Sequence, residues 1–306
     1  MTEHHSRFIL PFAFLAAILA VSTSSIFIRF AQADAPSLVI AAIRLIFATI
    51  LLAPLVWMRH RQELKSLRRN EVLPGILSGL FLAIHFATWT SSLEFTTVAS
   101  SVVFVSTGPL WVALLSPVFL DERMERAALL GLGVALLGGT VIGLSDACTW
   151  DGRLLCPNLG RVLQGDAMWG NFLALAGAWT VSGYLIIGRK LRARISLLPY
   201  VFLVYGVAAL ALILLMLFAG LAPFGYPAST YGWIFLLALF PQLIGHSTYN
   251  WVLRYLPATL VAVITLIEPL ASATLAFLIL RESPTPGILF GGALILAGIY
   301  LATRPA

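Results

Sequence analysis

The sequence predicts an all-α integral membrane protein: ten transmembrane helices in two inverted five-helix repeats, both termini cytoplasmic. Three observations carry that expectation. Apolar residues make up 60% of the 306-residue chain and charged residues only 10%, whereas soluble domains hold roughly 45–50% apolar residues. Ten apolar runs approach the ~20 residues that a bilayer crossing needs. One stretch also recurs 160 residues later without a gap: Trp89 to Gly143 lines up with Tyr249 to Thr303, matching Pro109 with Pro269, Glu122 with Glu282, Gly131 with Gly291 and Gly138 with Gly298. Coincidence rarely sets two prolines, two glutamates and two glycine pairs at one offset, so the chain reads as two copies of one unit.

The first five runs lie near Phe8 to Ala31, Pro36 to Met58, Val72 to Leu93, Val98 to Leu120 and Arg126 to Ser145. The second five lie near Gly165 to Ile187, Leu197 to Ala219, Tyr231 to Tyr255, Ala258 to Leu280 and Pro286 to Ala302. Repeat 1 is therefore expected over 8–145, an outer loop over 146–164 and repeat 2 over 165–303. Five crossings is an odd number, so the second copy enters the membrane upside down. Inverted repeats of this kind enclose substrate sites near the midplane in transporters. The first run ends in Ala31-Gln32-Ala33, which resembles a signal-peptidase site. Its length exceeds the 7–15 apolar residues of a secretory signal, so it is expected to stay as a span.

Orientation follows from the basic residues, which favour the cytoplasmic side. With the N-terminus inside, the inner segments collect fourteen: Arg7, Arg59, Arg61, Lys65, Arg68, Arg69, Arg123, Arg126, Arg189, Lys190, Arg192, Arg194, Arg254 and Arg304. Four fall outside (Arg29, Arg153, Arg161, Arg281), and Arg44 stays within a helix. These loops account for the net charge of +6, so no nucleic-acid partner is implied. The partners expected are the lipid bilayer, a small-molecule substrate and protons, with the protein a monomer or homodimer; no cofactor or metal is expected. The only two cysteines, Cys148 and Cys156, share the outer loop, where an oxidising compartment permits a disulfide. Glycine spacings at Gly75 and Gly79, Gly139 and Gly143, and Gly287 and Gly291 permit close helix contact.

Polar residues inside apolar runs need partners, and they fall in stripes. Gln242, His246, Tyr249 and Asn250 are spaced i, i+4, i+7, i+8 on one face. Comparable stripes are Ser78, His85, Trp89 and Ser92; Thr265, Glu268 and Ser272; Ser22, Ser25 and Arg29; Asn171, Trp179 and Ser182; and Ser100, Thr107 and Trp111. They predict a polar centre lined by helices 1, 3, 4, 6, 8 and 9, with the glycine-rich helices 5 and 10 peripheral. A charged group at mid-membrane costs roughly 2.5–3.5 kcal/mol, which singles out Arg44 and Glu268. Glu268 reads as a proton or substrate-amine site and Arg44 as a carboxylate clamp or counter-ion; alternatively the two form a structural pair. His85 and His246 are candidate proton relays or structural groups. His85, Trp89, Trp179, Tyr184, His246 and Tyr249, with Asn250 and Thr265, are candidate substrate contacts, and Glu268 with Arg44 is the candidate proton-coupling pair. Pro109 and Pro269 remove a backbone hydrogen bond in mid-span and predict kinks that act as hinges or as fixed bends.

Other classes lack their marks. There is no HExxH, no GxSxG and no pair of intramembrane aspartates, so an intramembrane enzyme is not expected. A non-transporting scaffold or receptor would not need a polar midplane. The half-repeat ending, a mid-helix Pro followed by LDERM or LRESP and then a glycine-rich helix, resembles the EamA domain of the drug/metabolite transporter superfamily, in two copies over essentially the whole chain. Arg44, in AAIRLIFATILL, is similar to the Arg common in helix 2 of that family. The resemblance implies a ten-helix inverted-repeat carrier of the bacterial inner membrane, often an exporter of amino acids or other metabolites, and often proton-coupled. Where many members carry a Trp-Gly-Ser-type stretch in helix 1, this chain has Val21-Ser22-Thr23-Ser24-Ser25.

Overall fold

A computed structural model of the chain describes residues 3–96, 98–122, 125–144, 149–150, 154–155, 165–280 and 286–303. Among them six helices are long and apolar enough to cross a bilayer: Leu10–Gln32, Ser37–Arg59, Arg69–Phe95, Gly165–Arg192, Leu197–Phe218 and Ala228–Val252. Four shorter apolar helices occupy the other expected runs, at Gly108–Phe119, Arg126–Val141, Ala258–Ser272 and Leu289–Leu301.

In chain order the helices are α1 (Glu3–Ser22), α2 (Ser24–Gln32), α3 (Ser37–Arg59), α4 (Arg61–Ser66), α5 (Arg69–Phe95), α6 (Val98–Val105), α7 (Gly108–Phe119) and α8 (Arg126–Leu144). The second half holds α9 (Gly165–Arg192), α10 (Leu197–Phe218), α11 (Ala228–Leu237), a π-helical segment (Ala238–His246), α12 (Ser247–Val252), α13 (Ala258–Thr265), α14 (Glu268–Leu280) and α15 (Pro286–Thr303). A two-residue antiparallel pair, Thr149–Trp150 with Leu154–Leu155, lies in the connecting loop. The expected disulfide partners Cys148 and Cys156 lie outside the described residues.

Two breaks follow from the prolines. Pro109 has no N–H for the carbonyl of Val105, and Pro269 none for that of Thr265. The chain tightens before each: Thr107 donates its N–H to Phe104 O at 3.2 Å, and Leu266 and Ile267 donate to Val263 and Ile264 at 3.1 and 3.2 Å. Each break therefore replaces α-type bonding with i→i−3 bonds, splitting α6 from α7 and α13 from α14.

The helix starts recur at the sequence offset. Ser37 and Leu197, Val98 and Ala258, Gly108 and Glu268, and Arg126 and Pro286 are each 160 apart. Contacts between helices obey the same exchange: α5 packs on α9 while α1 packs on the π segment, α7 meets α13 while α6 meets α14, and α3–α10 and α8–α15 pair with themselves. Such self-mapping is what a two-fold relation between the halves requires.

The α8–α15 contact shows why its glycines recur. A Cβ on Gly138 would lie 2.5 Å from Gly291 O, and one on Gly298 would lie 2.5 Å from Gly131 O. Gly139, which the spacing marked as a contact glycine, has nothing within 4 Å of its Cβ position, although it too is buried. Gly79 packs as expected, its Cβ position 2.7 Å from Val207 Cβ of α10. Outward-facing Leu129, Leu130, Leu137, Leu289 and Phe290 put α8 and α15 at the rim of the bundle. The main core gathers elsewhere, around Ile40, Leu45, Leu82, Phe86, Val204 and Leu237.

Candidate functional site

The polar centre is assembled on the π segment. Its wider turn ends with Ser247 N–H donating to Gln242 O, five residues back. The segment holds Pro241, whose ring forbids the ordinary α bond. Single-turn π insertions are frequent at functional sites. Here the segment turns Gln242, His246, Tyr249 and Asn250 into the protein, all four buried.

These side chains meet groups from four other helices. Tyr249 Oη–H donates to Glu268 Oε1 at 2.6 Å, joining α12 to the first residue of α14. Asn250 Nδ2 donates to His246 O at 2.7 Å and to Tyr184 Oη of α9. The His246 ring stands edge-on to Phe86 at 5.3 Å and to His85 at 6.4 Å. His85 stacks on Trp89, ring centroids 6.0 Å apart and planes within 7°. His85 Nδ1 lies 2.9 Å from Gly177 O. A carbonyl only accepts, so Nδ1 carries the hydrogen and Nε2 is left as an acceptor. Phe14 of α1 closes the group edge-on against Tyr249 at 5.4 Å, and Ser272 Oγ donates to Ser22 O at 3.2 Å.

Arg44 is the exception. Its Cζ lies 4.1 Å from the centroid of Phe86, and Nε, Nη1 and Nη2 are buried without a hydrogen-bond partner. The alternative of a structural Arg44–Glu268 pair is therefore not realised: Glu268 accepts from Tyr249, and the rings of Tyr249, His246 and Phe86, in successive contact, link the acid to the base. Trp179 also stands apart. It is 40% exposed and packs edge-on against Trp111 at 5.6 Å and Phe172 at 6.2 Å. Thr265 turns its hydroxyl back onto Ala262 O at 2.7 Å, beside the break that precedes Pro269.

One match decides the family. The model of the EamA-like transporter family fits the chain twice, over residues 8–144 and 168–304. The chain belongs to the EamA-like transporter family. It is a multi-pass integral membrane protein. Among its relatives, a probable terminal-alkyne amino-acid exporter of Streptantibioticus cattleyicolor is 30% identical over 228 residues, covering 72% of this chain and 66% of the relative. The pseudopaline exporter CntI of Pseudomonas aeruginosa is 26% identical over 294 residues, 95% of each chain. An uncharacterised transporter of Archaeoglobus fulgidus is 23% identical over 95% of this chain and 94% of its own length. A crystal structure at 20% identity superposes with a TM-score of 0.75 over 96% of both chains; it shares the fold.

In this EamA-like chain the centre also contains residues that no polar stripe marked. Tyr205 of α10 lies 3.1 Å from Ser247 Oγ, and Tyr200 of the same helix lies 3.0 Å from Ser78 Oγ. The expected lining left out helices 2 and 7, yet α3 supplies Arg44 and α10 supplies both tyrosines. A fully apolar helix interrupted only by two tyrosines five residues apart is the signal available for α10.

The helix ends are tied by carboxylates from elsewhere in the chain. Arg189 Nε pairs with Glu122 at 2.7 Å, Arg189 Nη1 donates to Leu253 O at 2.7 Å, and Glu122 accepts Ala258 N–H at 3.1 Å. Glu63 accepts Ser196 N–H at 2.8 Å and the Ser196 hydroxyl. Burial alone pushes the Glu63 carboxyl up; the bonds from Ser196 and His60 outweigh it and hold the group below its ordinary value. Toward other helix ends, Glu94 accepts Ser37 N–H at 2.8 Å and Asp34 accepts from Thr230 Oγ1 at 2.7 Å. An oxygen anion at a helix N-terminus satisfies a free amide and complements the dipole.

Proposed function

We propose that the protein is a secondary transporter that moves small organic metabolites by alternating access, exporting them across the bacterial inner membrane, with Glu268 carrying a coupled proton. The observation that carries this reading is the placement of Glu268. It starts a half-helix at the Pro269 break and is half-buried; its carboxyl accepts from Tyr249, whose ring meets His246 and through it His85, Trp89, Tyr184 and Asn250. A carboxyl so placed can exist neutral or charged according to which side the site faces, which is the requirement for coupling. Two halves related by a two-fold exchange supply the motion, as ten spans in two inverted sets of five with both termini inside, the repeats running over 8–145 and 165–303. Pro109 and Pro269 are the hinge positions. The substrates are amino acids or their analogues, in keeping with the exporters among the relatives, and the chain catalyses no covalent reaction.

The test is solute counterflow with proton flux in proteoliposomes, across a panel of amino acids, organic cations and sugars. Solute movement accompanied by a pH change is expected, and Glu268→Gln should abolish the pH dependence. Transport that moves no protons would assign an uncoupled facilitator instead. A Glu268→Gln variant with unchanged transport and pH profile would remove Glu268 from the mechanism.

A further inference from the structure

Arg44, grouped with Glu268 for proton coupling by the sequence, has surroundings that leave it electrically unfinished. It is 1% exposed, and its three nitrogens have no acceptor. The two ion pairs among the described residues, His60–Glu63 and Glu122–Arg189, are both at helix ends. The face of Phe86 lies against its Cζ, 4.1 Å from the ring centroid, and its other electrostatic neighbours, Tyr205, His85 and His246, give its nitrogens no hydrogen bond. A cation over one ring face does not offset the cost of a mid-membrane charge whose donors are unsatisfied.

A second group nearby is in the same condition. Gln242, on the π segment that packs against α3, is fully buried with both Oε1 and Nε2 unpartnered. Its backbone carbonyl, by contrast, is held by Ser247 Oγ at 3.3 Å. Tyr205 connects the two: its hydroxyl donates to Gln242 O at 3.4 Å and it is an electrostatic neighbour of Arg44, so two buried side chains from packed elements keep donors unused around one tyrosine.

We infer that Arg44 and Gln242 form an anion subsite for the carboxylate of the substrate. The inference rests on the transport reading above and narrows it to monoanionic or zwitterionic solutes. A guanidinium presents its donors as a planar fork that matches a carboxylate in bidentate fashion, and the Gln242 amide adds a third donor. Arg44 is the only Arg or Lys near the middle of the six long spans, with His85 and His246 the titratable bases beside it, so a single negative charge matches its fixed charge. Phe86 lies under the guanidinium and is T-shaped to His246, so the carboxylate subsite and the ring-lined remainder share one wall.

The test reads binding without transport or protons, so its failure would leave the Glu268 experiment standing. Thermal unfolding of the purified full-length protein in detergent is followed with millimolar benzoate or its neutral isostere benzamide. Benzoate is expected to raise the midpoint by about 2–4 °C and benzamide not to. Arg44→Met, which replaces the unpaired charge by an apolar side chain of similar size, is expected to match or exceed the wild-type midpoint without ligand and to lose the benzoate response. Arg44→Lys should keep a weakened response, because a point charge replaces the fork. Equal responses of the wild type to benzoate and benzamide would overturn the proposal. So would a benzoate response that persists in Arg44→Met, or an Arg44→Met protein that fails to fold, which would make Arg44 structural.

Discussion

The α8–α15 contact allows a sharp test of the two-fold relation between the halves. Replacing Gly298 with Ala sets a methyl carbon 2.5 Å from Gly131 O, 2.6 Å from Ala135 N and 2.8 Å from Ala135 Cβ. All three neighbours belong to the facing helix, two of them backbone, so no rotamer change relieves the clash. Ordinary contact begins near 3.4 Å, so the axes must separate by something approaching 1 Å, a cost of about 1–3 kcal/mol typical of overpacking. Gly138→Ala meets Gly291 O, Ile295 N and Leu294 Cβ at 2.5, 2.8 and 2.9 Å and should cost a similar amount. Because one separation accommodates both methyls, the double variant should lose clearly less than the sum of the singles. Gly139→Ala, one residue along with nothing within 4 Å, should be neutral or slightly stabilising, since Ala favours the helix over Gly. Midpoints of thermal or denaturant unfolding in detergent give all four values. Equal losses for Gly138→Ala and Gly139→Ala, or strict additivity in the double variant, would refute this reasoning.

Glu63→Gln should lower the unfolding midpoint at neutral pH. The folded-state carboxyl is held below its unfolded value, so its contribution is present above the ordinary carboxylate range and disappears as pH falls through the folded value; wild type and variant should converge in acid. Glu122→Ala should cost about 1–3 kcal/mol, because it strips Arg189 of its ion pair and Ala258 N–H of its acceptor, and Glu122→Gln should recover part of that in the same unfolding measurement. Pro269→Ala restores an N–H for Thr265 O; the variant should fold, and transport in proteoliposomes should fall as the break closes. If transport is unchanged, the break is only a fixed bend.

Much of the fold was legible because membrane solvation writes it directly: apolar run lengths mark helices, and an ungapped offset survives wherever the same contact must form twice. Gly131, Gly138, Gly291 and Gly298 recur because each pair makes the same close approach. The prolines revealed the helix breaks because losing an N–H has one local consequence. The site was legible as stripes on single helices, which is why His246, Tyr249 and Asn250 stood out. What lay beyond was partnership between helices. Nothing in the order of residues shows that Tyr249 reaches Glu268 while Arg44 goes to Phe86, that Trp179 joins Trp111, or that the close approach falls at Gly138 and not at Gly139. Tyr205 escaped notice because a tyrosine in an apolar helix has the same appearance whether it lines a site or packs.

The π segment has a consequence for energetics as well as for geometry. Its counterpart in the first half, 160 residues earlier, lies within the uninterrupted α-helix Arg69–Phe95. Two halves identical in every helix would give a carrier two conformations of equal energy, resting half the time toward each compartment. Nine residues of a different helical pitch in one half remove that degeneracy. A difference of about 1.4 kcal/mol already places ten molecules facing one way for each facing the other. On the alternating-access reading proposed above, this local change of hydrogen-bond register is one contribution to the preference of the protein for one facing orientation over the other.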